Sequence, residues 1–157
     1  MIKKMSFLTL AGLCVLIALP LYAQIVTPGL YHGNKLPSPQ DPNTCQVMEL
    51  SQTEVEFKQK AETYMGQGKS DRALEELKKI PNAWISHWFI SYFYEINFDL
   101  HQALGEVSWL IQNSRSRELE FQLQHRKESI EEAIISMKEW EERQEYLRHK
   151  DKKVLSE

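Results

Sequence analysis

Five histidines, a short set of serines, one mid-chain cysteine and three pairs of adjacent glutamates are the side chains of this sequence that could do chemistry. Metal binding would need His32, His87, His101, His125 or His149 to have a second ligand at a binding spacing, such as four residues on along a helix, and none has one. Nucleophilic catalysis would need a base beside Ser86, Ser91 or Ser108, and the sequence offers no convincing one. Acid–base catalysis by paired carboxylates needs two groups facing each other across a cleft. Glu75–Glu76, Glu131–Glu132 and Glu141–Glu142 instead sit on helical stretches rich in Lys and Arg, as solvated faces do. There is no HExxH, no phosphate-binding loop and no dinucleotide glycine pattern. The expectation is a non-enzyme with no cofactor and no metal.

The elements that must position any other kind of site begin with an N-terminal segment built for export. Lys3 and Lys4 precede an apolar run from Leu8 to Leu19, Pro20 breaks it, and Ala23 supplies a small residue at a cleavage point. This is the layout of a secretory signal peptide over residues 1–23, with an uncleaved membrane anchor as the alternative. Leu13 before Cys14 does not fit a lipid-attachment motif. Cleavage leaves 134 residues, with 17 basic against 22 acidic side chains and a net charge of −5. That is one modest domain with no basic excess to hold nucleic acid. Cys45 then has no partner in its own chain, so it is an inert thiol or pairs between chains.

Residues 24–50 read as a Pro/Gly-rich arm or linker. Pro28, Pro37, Pro39 and Pro42 with Gly29 and Gly33 deny residues 24–44 regular structure, leaving either a spacer or an extended segment lying in a groove. Ser51 and Glu54 form a capping box that opens the first helix, which Gly66 and Gly68 end. A second helix runs from Ser70 or Asp71 to Pro81. Residues 83–98 are apolar all round, with seven aromatics, and so predict a central helix contacted on several sides. Asp99 and Gln102 suggest a second capping box, opening a fourth helix that ends at Asn113–Ser114. From Ser116 to about His149 there is no Gly or Pro. Leu123, Ile130 and Met137 recur every seven residues, as do Ala133, Trp140, Leu147 and Val154, while Arg126 and Gln144 interrupt the seam. Such a helix either packs back on the preceding hairpins or projects to pair with another chain.

The two hairpins repeat. Ala61, Tyr64, Ala73, Leu77 and Ile80 are matched thirty residues later by Ser91, Tyr94, Ala103, Val107 and Leu110. Small residues let paired helices approach, and the later aliphatics are covered by the next hairpin. At these residues the chain resembles the tetratricopeptide repeat family. The family period is 34 rather than 30, Lys60 stands where an aliphatic is usual, and Gly68 is answered by Phe98. The resemblance implies an all-α fold of two stacked hairpins over residues 51–113, and the unbroken heptad-bearing run that follows is expected to be a long charged C-terminal helix over 114–157. The resemblance also implies a concave face, built from the first helix of each hairpin, that binds a protein segment.

The resulting expectation is an exported protein–protein interaction module or scaffold, periplasmic or secreted. The alternative is a structural or assembly subunit of a cell-envelope or secretion complex, held by its arm and C-terminal helix as a homo- or hetero-oligomer. The expected contact residues are Lys58, Tyr64, Trp88, Tyr92 and Glu95 on the concave face, with Ile130, Met137 and Trp140 on the C-terminal seam.

Overall fold

The computed structural model describes the backbone of residues 35–154 and the side chains of residues 35–149. The expected signal peptide lies outside the described residues. Those described form five helices and no strand: α1 Gln52–Gly66, α2 Ser70–Lys78, α3 Ala83–Ile96, α4 Leu100–Asn113 and α5 Arg117–Val154. No helix among them is long and apolar enough to cross a membrane.

Local chemistry opens the helices in two ways. Ser51 has extended backbone, its side chain accepts from the Glu54 amide, and Glu54 returns a bond to the Ser51 amide at 2.8 Å. Asn82, also extended, accepts from the Trp84 amide at 3.0 Å and caps α3. The expected box at Asp99 does not form; Asp99 makes no side-chain cap. Its own amide is tied back to the Tyr94 carbonyl at 2.9 Å, with ψ 65°, so the chain enters α4 directly out of the preceding turn. Lys69 enters α2 in the same manner, bonded to the Tyr64 carbonyl at 2.9 Å with ψ 64°.

That equivalence extends through both turns. Gly68 and Phe98, thirty residues apart, are left-handed at φ 68° and 58°. Their amides reach Met65 and Glu95 carbonyls at 3.0 Å in each case. Glycine takes this conformation freely, whereas Phe98 holds it at a cost of about 1–2 kcal/mol. The turn geometry is therefore repeated even where the residue types differ. The packing repeats with it: Ala61, Ala73 and Leu77 are fully buried, and so are Ser91, Ala103 and Val107. Ile80 and Leu110 close the core at the ends of their hairpins. Pro81 follows the nine-residue α2 closely, and a short α2 accounts for a period of 30.

Each helix packs on the next in sequence, α1 on α2, α2 on α3, α3 on α4 and α4 on α5. A stack of this kind buries a core that no single hairpin could bury alone. At the α2–α3 junction the buried Ser86 hydroxyl donates to the Leu77 carbonyl at 3.0 Å, satisfying an acceptor near the end of α2. The described part of the arm does not hang free. Leu36 and Pro39 are buried, and a reverse turn is closed by Asp41 N–H donating to the Gln46 carbonyl at 2.7 Å. Leu36 N–H donates to Glu62 of α1 at 2.7 Å. The Pro42 carbonyl accepts from the amides of Arg115 and Ser116, at 2.7 and 2.9 Å, just before α5.

Ala73 is the close-contact residue of the first hairpin. Ala73→Leu is expected to cost about 1–3 kcal/mol by overpacking. An unchanged or higher melting temperature would mean that α1 and α2 do not meet at this position.

Candidate functional site

The aromatic helix α3 presents a column of rings. Trp84 and Trp88 have centroids 6.4 Å apart, and Trp88 and Tyr92 are 5.7 Å apart. Trp84 also meets Trp109 of α4 at 6.4 Å, and His87 stacks on Trp109 at 3.8 Å. The Trp84 indole N–H donates to the Gln40 carbonyl of the arm at 2.7 Å. His87 Nδ1 pairs with Glu106 across the second hairpin. His87 is thus a partnered structural histidine. Among the described residues no group of three or more His, Cys, Asp and Glu side chains comes together as a metal would require.

One side chain of α5, Arg126, reaches α3 at Tyr92, Glu95 and Ser91. The Arg126 guanidinium lies 3.5 Å from the centroid of the Tyr92 ring. Its Nε donates to Glu95 Oε1 at 2.7 Å, and Nη2 donates to the Ser91 hydroxyl at 2.9 Å. Ser91 in turn donates to the Trp88 carbonyl at 2.7 Å. The side chain of Arg126 is 9% exposed and that of Glu95 5%. Ser91 stands where the first hairpin has Ala61, and its hydroxyl serves the guanidinium. Among the described residues, two buried donors, Arg126 Nη1 and Trp88 Nε1, have no hydrogen-bond partner. Burial raises the Glu95 carboxyl above its ordinary range, and Arg126 pulls it back only in part. Burial likewise raises the Tyr92 hydroxyl, against the opposing charge of Arg126.

The expected contact residues divide accordingly. Trp88 and Glu95 are buried, and Tyr92 lies largely covered against Arg126. These three belong to the inner packing of the stack and not to an open groove. Lys58 is held by Glu62 at 2.6 Å and lies over the Phe89 ring at 5.9 Å. Glu62 is the same residue that receives the arm at Leu36. Tyr64 lines a surface recess of about 480 Å³ along α1, with Gln59, Lys60 and Thr63 among its neighbours. On α5, Ile130 is buried and Met137 half-buried. Trp140, one turn further on, is 54% exposed, and Leu147 is 43% exposed. Ile135 and Tyr146 are also exposed, on the opposite side of the helix by their spacing.

Sequence reasoning named Glu95 but not its partner. Arg126 was visible as a charge interrupting an apolar seam, and a long cation on a buried stripe is itself a signal that an anion faces it. Cys45 sits in a left-handed turn of the arm at φ 60°, with its Sγ 4.0 Å from Gln40 Oε1. Desolvation and then Glu118 raise its thiol above the ordinary value, which lowers its thiolate fraction and reactivity. No family model, curated protein or solved structure matches the chain.

Two outcomes test this cluster. Arg126→Leu leaves a buried carboxylate without its guanidinium and is expected to cost about 3–5 kcal/mol. A loss under about 1 kcal/mol, as for a surface pair, would contradict the burial. Glu95, with a raised carboxyl in the folded state, takes up a proton on folding as pH falls from neutral. Its contribution to stability therefore grows toward acid and is lost as pH rises through the raised value. Melting curves of the wild type and Glu95→Gln between about pH 7.5 and pH 5 should show the wild type gaining on the variant as pH falls. The opposite trend would mean that the attraction of Arg126 outweighs desolvation.

Proposed function

We propose that this chain is an exported, non-enzymatic protein–protein interaction module, a stack of tetratricopeptide-like hairpins that serves as the rigid base for a projecting helix. The observation that carries the reading is the change along α5. The apolar series is covered at Leu123, Ile130 and Ala133 and then continues into the open at Trp140 and Leu147. An apolar stripe rimmed by Glu139, Glu141, Glu142 and Arg143, all exposed, has the character of a protein contact surface. Export is supported by the signal-like segment over residues 1–23.

The concave face implied by the tetratricopeptide resemblance is a weaker site, because its central residues are occupied within the chain. Glu95 and Tyr92 hold Arg126, and Lys58 and Glu62 hold one another beside the arm. Of the expected face residues, Tyr64 is half-buried and lines a surface recess. The reading as an assembly subunit shares the same α5 surface and differs only in the permanence of the complex.

Trp140→Glu tests the module. Trp140 is already largely in solvent, so the melting temperature should stay within the small range typical of surface changes, about 0.5 kcal/mol. Cross-linking in the source cells followed by recovery of the tagged chain should lose its protein partners in the variant. Recovery of the same partners at the same yield would move the site elsewhere, with Tyr64 the next surface to probe.

A further inference from the structure

We propose that the second half of α5 pairs antiparallel with the same segment of a second copy of this chain, along the seam that carries Trp140 and Leu147. This rests on the reading of α5 as the interaction surface and names the partner.

The argument is charge complementarity along a continuous stripe. The seven-residue series that packs Ala133 within the body runs on without a break to Trp140 and Leu147, with Met137 and Gln144 beside it. On a helix, Glu141, Glu145 and Arg148 share one flank of that seam, at steps of four and three residues, and all three are exposed. The sequence continues at the same spacing with Lys152. The flank thus reads acid, acid, base, base. The wider segments agree: residues 139–145 contain four glutamates and one arginine, and residues 148–153 contain four Lys or Arg and one aspartate.

A flank of this pattern is its own complement when reversed. In an antiparallel pair centred between Tyr146 and Leu147, Glu145 of one copy lies beside Arg148 of the other, and the acidic segment 139–145 runs along the basic sequence 148–153. A parallel pair would set this flank against the opposite one and bring Arg148 of one copy beside Arg143 of the other, base against base, which is unfavourable at contact. A partner of uniform charge would meet repulsion over one half of the segment. The opposite flank carries a single misfit, because Arg143 comes to stand near the second copy's basic segment. The apolar contribution comes from Trp140 and Leu147, large side chains still open to water in the single chain.

The test is sedentation-based mass in solution of the chain as recovered from cells, under reducing conditions so that no Cys45 disulfide contributes. The expected result is a reversible dimer at protein concentrations up to about 100 μM. Trp140→Glu should raise the dissociation constant by about tenfold or more. Glu141→Lys with Glu145→Lys should abolish pairing at low salt, and adding Arg148→Glu with Lys152→Glu should restore it. Arg143→Glu should tighten the dimer. A nitroxide on Glu139→Cys in a Cys45→Ser background should give an axial separation of about 22 Å for the antiparallel pair. A separation of about 10 Å, as in a parallel pair, would overturn the proposal. So would a monomer throughout this range, or a dimer indifferent to the charge reversals. A monomer whose partner recovery still depends on Trp140 would overturn self-pairing and leave the interaction reading in place.

Discussion

The guanidinium of Arg126 is the point on which the arrangement of this protein turns. It comes from α5, lies on the Tyr92 ring, and bonds Glu95 and Ser91 of α3. Taking both charges out of water is costly, and their attraction offsets that cost only when the geometry is good. The consequence is specificity more than stability. An α5 slid by one residue would carry the guanidinium away from Glu95, leaving a carboxylate buried without it. The buried Leu119, Leu123 and Ile130 set which stripe of α5 faces the stack, and the ion pair sets where along that stripe the contact is made. The residue that spoils the heptad seam is therefore the one that defines how the seam packs.

A second constraint concerns backbone polarity. A proline-rich segment has carbonyls in surplus and few amides to donate. The arm uses this surplus where the helical stack has donors to spare. The Gln40 carbonyl takes the Trp84 indole, and the Pro42 carbonyl takes the amides of Arg115 and Ser116. Those two amides lie at the entry to α5, where no helical acceptor is within reach. The arm thus fastens α3 and the start of α5 to one strip of chain while burying Leu36 and Pro39. Its contact with Glu62 extends the same strip to α1.

These two constraints explain why α5 behaves as two helices in one. From Leu119 to Ala133 it is a member of the stack, held by apolar burial, by Arg126 and by the arm at its entry. Beyond Met137 the neighbouring α4 has come to an end, and the same periodic stripe meets water. The seven-residue apolar spacing does not mark this boundary, since it continues across it to Trp140 and Leu147, although charged residues become denser beyond it. A helix of 38 residues is about 57 Å long, against about 21 Å for the 14-residue α4 it packs on. The excess length is what leaves Trp140 and Leu147 open to water.

Much of this could be read from the chain alone, wherever the determinant was local. The Ser51–Glu54 box, the stop at Pro81, the apolar periods and the thirty-residue repeat all arise from interactions within one or two helical turns, and all have structural counterparts. The Asp99 box failed although its residue types were right, because the turn before it commits the Asp99 amide and backbone elsewhere. Phe98 stands opposite Gly68 in the repeat and differs from it in type, yet the turn imposes the same left-handed backbone on both. Trp88, Tyr92 and Glu95 are expected from the sequence as contacts on an open concave face, but whether that side of α3 is open depends on α5, whose Arg126 arrives from 31 residues away. The sequence by itself determined the helices, their order and the apolar stripe of each, because those follow from short-range spacing and burial tendency. Only the tertiary structure decided which stripes are covered, since coverage depends on where each neighbouring helix ends and on a buried charge finding its counterpart across the stack.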